Sequence, residues 1–380
     1  MIIGIDIRVL ATEVKSGIEE YTENLLAHML PLDNSIKFKL FFSSSKNNLK
    51  KYDWMELPNV EVFNFNLPNK LLFVFSRLFN WPQIDKLVGG ADVFFSPHFL
   101  LSSLSSNCKR VTTVHDLSYV RFKEFFSWRR NVWHKFQVYN LSKHNFSDKV
   151  IAVSDSTKKD LIETYGISSS KIKTIYSGVS EFMKRVEQKE LEFFKLQNNF
   201  PEKFILFLGK LEPRKNIIGL IRAFNFLKQT KGFENLHLVI IGSRGWLYKS
   251  IYQEVYRSKF KDQIIFKNHI KDVERKFYYS LASVFVYPSF FEGFGFPPLE
   301  AMACGTPVIA SLNSSLPEVV GEASILIDPY NAVDISNAIK IVLTDLKLKD
   351  LLKDKGLKVA NNFSWNRCAE ETLKVLKDTK

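Results

Sequence analysis

Glu292 and Glu300 stand eight positions apart in a stretch that reads Ser289-Phe-Phe-Glu-Gly-Phe-Gly-Phe-Pro-Pro-Leu-Glu-Ala-Met-Ala-Cys-Gly-Thr306. Gly293 and Gly295 lie between the two acids. Pro297 and Pro298 suit the opening of a helix that Gly305 and Pro307 then stop. The amides of the loop and of the first helical turn are expected to favour an anion such as a phosphate. Two carboxylates beside a phosphate repel it unless they address something neutral, and ribose and hexose hydroxyls are neutral donors to an ionised carboxylate. A nucleotide sugar carries both in one molecule. The same residues also fit a plainer reading, with Glu292 a solvated loop side chain and Glu300 a charge opposing the helix dipole.

Three other places put polar residues at the end of an apolar run. Gly209-Lys210-Leu211-Glu212-Pro213-Arg214-Lys215-Asn216 follows Phe204 to Leu208, and cations there could neutralise a pyrophosphate and the charge that grows on it as a leaving group. The other reading is of solvated loop charges. His115 and Asp116 directly follow Val111 to Val114, and the carboxyl end of a buried parallel strand is where such a fold binds ligands. A structural histidine capping the strand fits as well. Ser16-Gly17 opens a helix after the first apolar run, a pattern shared by backbone approach to a ligand and by ordinary capping.

The elements that must hold these residues follow from periodicity. Short β-branched and aromatic runs at Ile2 to Ile7, Lys37 to Phe42, Val60 to Phe65, Val93 to Phe95, Val111 to Val114, Val150 to Val153 and Ile172 to Tyr176 read as strands. Helical stretches such as Ser16 to Leu30 and Thr157 to Tyr165 alternate with them. The alternation starts again after Pro201, with runs at Phe204 to Leu208, Leu238 to Ile241, Ile264 to Phe266, Val284 to Tyr287 and Val308 to Ile309. Strand and helix in turn predict parallel sheets, and 380 residues are enough for two domains.

With 46% apolar and 24% charged residues the chain has the composition of a globular protein. Cys108, Cys304 and Cys368 are odd in number and far apart, which predicts free thiols, a reducing compartment and no metal-ligand set. No apolar run reaches the length of a membrane span, so a cytoplasmic location is expected. The net charge is +13. Residues 101 to 150 hold nine Lys/Arg against three Asp/Glu, whereas residues 1 to 100 hold ten against eleven. The segment Arg121 to Lys149 interleaves those cations, Arg129 and Arg130 among them, with aromatics, and Lys70 to Trp81 has the same look. Such stretches suit an anionic leaflet, a single-stranded nucleic acid or an ordinary helix with its aromatics inside.

Residues 290 to 310 resemble the E-x7-E signature of the retaining glycosyltransferases of family 4 (glycosyl transferases group 1). Ser16-Gly17-Ile18-Glu19-Glu20-Tyr21, His115-Asp116-Leu117-Ser118-Tyr119, the Gly209 to Asn216 loop and Ser314-Ser315-Leu316-Pro317-Glu318-Val319 extend the likeness along nearly the whole chain. It implies an α/β fold of two facing Rossmann-like domains, the GT-B type. An acceptor domain would span 1–180, a linker 181–202 and a nucleotide-sugar domain 203–362, with a helix at 363–380 packing back on the first domain. It further implies catalytic roles for His115, Glu292, Lys215 and Lys210, and contacts to donor or acceptor from Gly17, Asp116, Arg214, Gly293, Phe294, Gly295 and Glu300. Lys210 stands where the family often has arginine and lacks the bidentate fork.

The resemblance is to bacterial mannosyltransferases that extend lipid-linked O-antigen or capsule glycans. That implies GDP-mannose as donor, a lipid-linked glycan acceptor and a peripheral position at the inner face of the plasma membrane. No Asp-x-Asp pair is present, so neither a metal nor another cofactor is expected. The rivals are a nucleotide-sugar epimerase or other non-transferase on the same fold, a nicotinamide dehydrogenase, for which the G-x-G-x-x-G fingerprint is missing, and a nucleic acid binder, against which the local placement of the charge speaks.

Overall fold

The computed structural model describes residues 1–11, 17–44, 49–98, 102–126, 147–198, 200–268 and 270–380. Ser16, His269 and residues 127–146, which include Arg129 and Arg130 of the basic aromatic segment, lie outside the described residues. The chain divides into two compact units. One comprises Met1–Leu117, Arg129–Gly178 and Ser364–Lys380, the other Ser118–Trp128 and Val179–Phe363.

The first unit holds a seven-stranded sheet of β1 (Ile2–Asp6), β2 (Lys37–Ser43), β3 (Val60–Phe65), β4 (Val93–Ser96), β5 (Lys109–Val114), β6 (Lys149–Ala152) and β7 (Ile172–Thr174). Their order is β3-β2-β1-β4-β5-β6-β7, and every pairing is parallel. Parallel strands need helical crossovers that cover both faces, which is why β4 is buried at all four positions. Helix α1 (Gly17–Met29) supplies Tyr21, Leu25, Leu26 and Met29 to the core at helical spacing. Helix α2 (Asn69–Phe79) packs Leu72 against Phe41, Ile84, Val88, Phe94 and Cys108. The helix Asp155–Tyr165 begins where Ser154 accepts a hydrogen bond from the Thr157 amide, and it ends at left-handed Gly166.

The last helix, Trp365–Asp378, belongs to this first unit. It lies against α1, with Tyr21 and Trp365 rings 5.8 Å apart.

The second unit holds a six-stranded sheet of β8 (Lys203–Leu208), β9 (Leu236–Ile241), β10 (Ile264–Lys267), β11 (Val284–Tyr287), β12 (Val308–Ser311) and β13 (Ser324–Ile327). The order is β10-β9-β8-β11-β12-β13, again all parallel. Two segments beyond the expected domain fold onto this unit. Residues 188–198 form a helix whose Phe194 stacks on Phe277 with centroids 4.4 Å apart. Phe125 and Phe126 stack on Phe290 and Trp246, and the Phe122 ring meets Phe291 at a tilt.

Each sheet is two Rossmann-like halves meeting at a switch point, between β1 and β4 in one unit and between β8 and β11 in the other. Chains leave the carboxyl ends of the two central strands toward opposite faces, which opens a crevice there. All the candidate residues except Gly17 and Glu300 lie in the loops that leave strand ends.

Candidate active site

In the second unit the loop after β8 and the loop after β11 emerge side by side. The first loop turns through a 3-10 segment, Pro213–Lys215, to left-handed Asn216, whose side chain caps the next helix by accepting from the Gly219 amide. It is held close to the neighbouring turn by Gly242, where a Cβ would stand 1.9 Å from the Gly209 carbonyl oxygen. The second loop ends at Gly295, whose φ of +111° only glycine adopts without strain. Its backbone is pinned from the next loop. Ser314 Oγ accepts from the Glu292 amide at 2.9 Å, and Ser315 Oγ donates to the carbonyls of Glu292 and Phe294 at 3.0 and 2.8 Å.

The two loops bring four charges into one buried cluster. Glu292, 7% exposed, accepts from Lys215 Nζ at 2.6 Å and from Arg214 Nη1 at 2.8 Å. Arg214 also donates to Glu212 and to the Phe291 carbonyl, clamping one loop to the other. Burial works against the Glu292 charge, yet Arg214 and Lys215 outweigh it and hold the carboxyl down to about 2. Lys215 donates a second hydrogen bond, 2.6 Å long, to the Tyr287 hydroxyl. Burial and the Glu292 charge push that hydroxyl well above its ordinary range, so it stays protonated. Of the three donors on the Lys215 ammonium two are thereby engaged, leaving one for a ligand.

Arg214 and Lys215 balance Glu212 and Glu292, so the buried cluster is neutral as a group. Lys210, exposed at the start of the same loop, adds the net positive charge an anion would meet.

Glu300 sits elsewhere in the packing. The helix spans Phe296–Ala303, which makes Glu300 its fifth residue rather than one of the first. It is 2% exposed, accepting from Arg275 Nη1 at 2.8 Å and from the Tyr279 hydroxyl at 2.7 Å, both on the helix Arg275–Leu281. Because the helix starts at Phe296, the two prolines are its second and third residues and carry no N–H. Its first turn offers fewer donors than the sequence pattern promises, and the cations of the β8 loop become the stronger attraction for a phosphate. Gly293, Phe294 and Gly295 are buried in the loop that joins the two glutamates.

In the first unit, Asp6 at the end of β1 is fully buried and paired with Arg8 Nη2 at 2.5 Å. His98, 1% exposed beyond β4, places Nε2 3.5 Å from Asp6 Oδ1. Burial opposes the Asp6 charge, but Arg8 and His98 hold its carboxyl well below the usual range. His115, after β5, donates from Nε2 to the Pro97 carbonyl at 2.8 Å. Its ring meets Tyr21 edge to face, centroids 4.8 Å apart. Burial is the main cause that lowers its pKa from 6.5 to about 4, so the ring is neutral at neutral pH with Nδ1 as its acceptor. Asp116 is half-buried beside it, and Gly17 is exposed at the first position of α1.

Sequence reasoning passed over Glu212, Tyr287, Arg275, Tyr279, Asp6 and Arg8. Glu212 stands inside the loop already singled out, two residues from Arg214. Arg275 and Tyr279 share a helical face four residues apart, but only the fold brings that face to Glu300. Among the described residues no group of three His, Cys, Asp or Glu side chains comes together as a metal site.

Residues 188–378 match the model of the family Glycosyl transferases group 1, and residues 15–181 that of Glycosyltransferase Family 4. The chain is similar to O-antigen chain mannosyltransferase B of Escherichia coli, 32% identical over 289 residues that span 75% of this chain and 74% of the relative. It is 31% identical over 271 residues to the serotype-specific mannosyltransferase WbdA of Escherichia coli, covering 69% of this chain and 32% of that longer protein. Among solved structures, HepE of Anabaena in complex with UDP and glucose has a TM-score of 0.74 at 18% identity, with 100% of each chain covered.

Proposed function

This chain is a glycosyltransferase of the glycosyl transferases group 1 family, and we propose that it moves mannose from GDP-mannose, with retention of configuration, onto a lipid-linked glycan. The observation that carries the reading is the buried Arg214–Lys215–Glu292 cluster where the β8 and β11 loops meet at the switch point. The lean toward mannose is supported by the two Escherichia coli relatives, both named as mannosyltransferases. A nucleotide-linked donor is supported by HepE, which was solved with UDP and glucose.

In the proposed reaction the donor diphosphate lies against Lys210 and the remaining Lys215 donor. As the bond between anomeric carbon and phosphate oxygen lengthens, negative charge grows on the diphosphate and these ammonium groups stabilise it. Glu292, held ionised by its two cations, accepts hydrogen bonds from sugar hydroxyls, and Glu300 accepts from the ribose. The acceptor hydroxyl attacks from the face the diphosphate leaves, giving its proton to the departing phosphate oxygen. In the first unit, neutral His115 and Asp116 are assigned to the hexose and the acceptor, with Gly17 marking the backbone nearest the diphosphate. The product would serve surface polysaccharide or O-antigen synthesis at the inner face of the membrane.

The test is nucleoside diphosphate release from GDP-mannose, UDP-glucose and other donors, with and without a bacterial lipid extract as acceptor. GDP released from GDP-mannose only when acceptor is present, with an α-linked product by NMR, is the expected result. Turnover with a different donor would overturn the assignment to mannose, and an inverted anomer would overturn retention.

A further inference from the structure

The helix α2 is built the wrong way round for a helix that only packs on its own domain. Toward the sheet it sends Leu72 into the core and Ser76, whose hydroxyl lies 2.7 Å from Ser103 Oγ. Toward solvent it presents Leu71, Val74, Phe75, Leu78 and Phe79, spaced as one helical stripe. Leu78 is 68% exposed and Phe79 66%, and Trp81 just past the helix end is 62% exposed. Phe75 joins the stripe to its end, with its ring 5.8 Å from Phe79 and 6.1 Å from Trp81. Leu67, before the helix, is exposed as well. A continuous apolar patch of this kind on a protein surface marks a site of contact.

The chemistry around the patch selects the occupant. Between Leu67 and Pro82 the chain has Lys70 and Arg77 and no acidic residue, within a protein of net charge +13. Aromatic and aliphatic groups on one helical stripe, basic residues in the same stretch of sequence and a tryptophan at its end are what an anionic lipid leaflet takes up. The rival stretch is spent in part on internal packing, since Phe122, Phe125 and Phe126 pack their rings against Phe291, Phe290 and Trp246. We infer that the outward face of α2, with Leu67 and Trp81, docks the chain on an anionic membrane surface. The choice of a membrane as partner rests on the lipid-linked acceptor proposed above.

The experiment is flotation of the full chain with phosphatidylcholine vesicles, with and without phosphatidylglycerol, for the wild type and for Leu78→Glu combined with Phe79→Glu. GDP-induced thermal stabilisation of both proteins is measured alongside. Both replaced side chains are exposed, so the fold and the GDP response are expected to persist in the variant. The wild type should float with the anionic vesicles and less with the neutral ones, and the variant should lose roughly tenfold or more of its partitioning. A wild type that stays unbound, or a variant that binds as well, would overturn the inference. So would a wild-type dimer that the substitutions dissociate without any vesicle binding, because a second copy would then cover the face. If GDP stabilises neither protein while α2-dependent flotation persists, the assignment to GDP-mannose fails and the docking surface stands.

Discussion

Lys210 and Lys215 are five residues apart in one loop and do different things. Lys215 is buried and bound to Glu292 and Tyr287, so its charge is already answered. Lys210 is exposed, and in the proposed reaction it supplies the net attraction for a diphosphate. Lys210→Gln is therefore expected to raise the donor KM roughly tenfold with a smaller effect on kcat, and Lys210→Arg to restore it, as read from steady-state release of nucleoside diphosphate. His115 gives a second test. Its ring holds a proton less well in the fold than in the unfolded chain, so falling pH favours unfolding. Its stabilising contribution is complete above 6.5, is lost as pH drops toward about 4, and is level below that. The loss that Glu292 causes comes lower, below its ordinary 4.5 and down to about 2. Melting temperature against pH should flatten between 6.5 and 4 in His115→Gln and keep its fall below that range; an unchanged slope would contradict the neutral imidazole.

At the scale of elements, the site depends on two loops held at a fixed separation. Gly242 sets part of it, because a Cβ there would press on the Gly209 carbonyl, a backbone atom that cannot swing aside. Gly242→Ala is expected to displace the start of the β8 loop and weaken donor binding several-fold, at a stability cost of about 1–3 kcal/mol by urea unfolding. Most of the elements were legible in the sequence because strands buried on both faces are continuous apolar runs, as in Val284–Tyr287. β13 was not. Ser324–Ile327 is a four-residue edge strand whose Leu326 is exposed, so it lacks that signature. The site was legible in its loops, since Gly, Pro and charge clusters stand out after apolar runs. It was not legible in its pairings. Nothing in the spacing of Glu292 or Glu300 shows that Arg214 with Lys215 answers one and Arg275 with Tyr279 the other.

At the scale of the whole molecule, the chain does not fold as two consecutive pieces. Residues 118–126 add to the second unit before the first is complete, and Ser364–Lys380 returns to the first after the second is done. Gly178 lies at the end of one unit, where a Cβ would fall 2.2 Å from the Trp365 amide nitrogen at the start of the returning helix. Gly178→Ala should separate that helix from the first unit, lowering stability by about 1–3 kcal/mol. Affinity for a nucleotide held by the second unit should stay unchanged, and a loss of both together would contradict the assignment of Trp365–Asp378 to the first unit. The face of α2 that exposes Leu71, Val74, Phe75, Leu78 and Phe79 belongs here too.

The loops after β8 and β11 are proposed to form a nucleoside diphosphate site with Lys215 as its buried cation. Isothermal titration calorimetry of GDP and UDP into the wild type and into Lys215→Met tests it most directly. One site per chain is expected in the wild type for at least one of the two nucleotides, weakened tenfold or more in the variant. Absence of binding by both nucleotides, or equal affinity in a folded Lys215→Met protein, would contradict it.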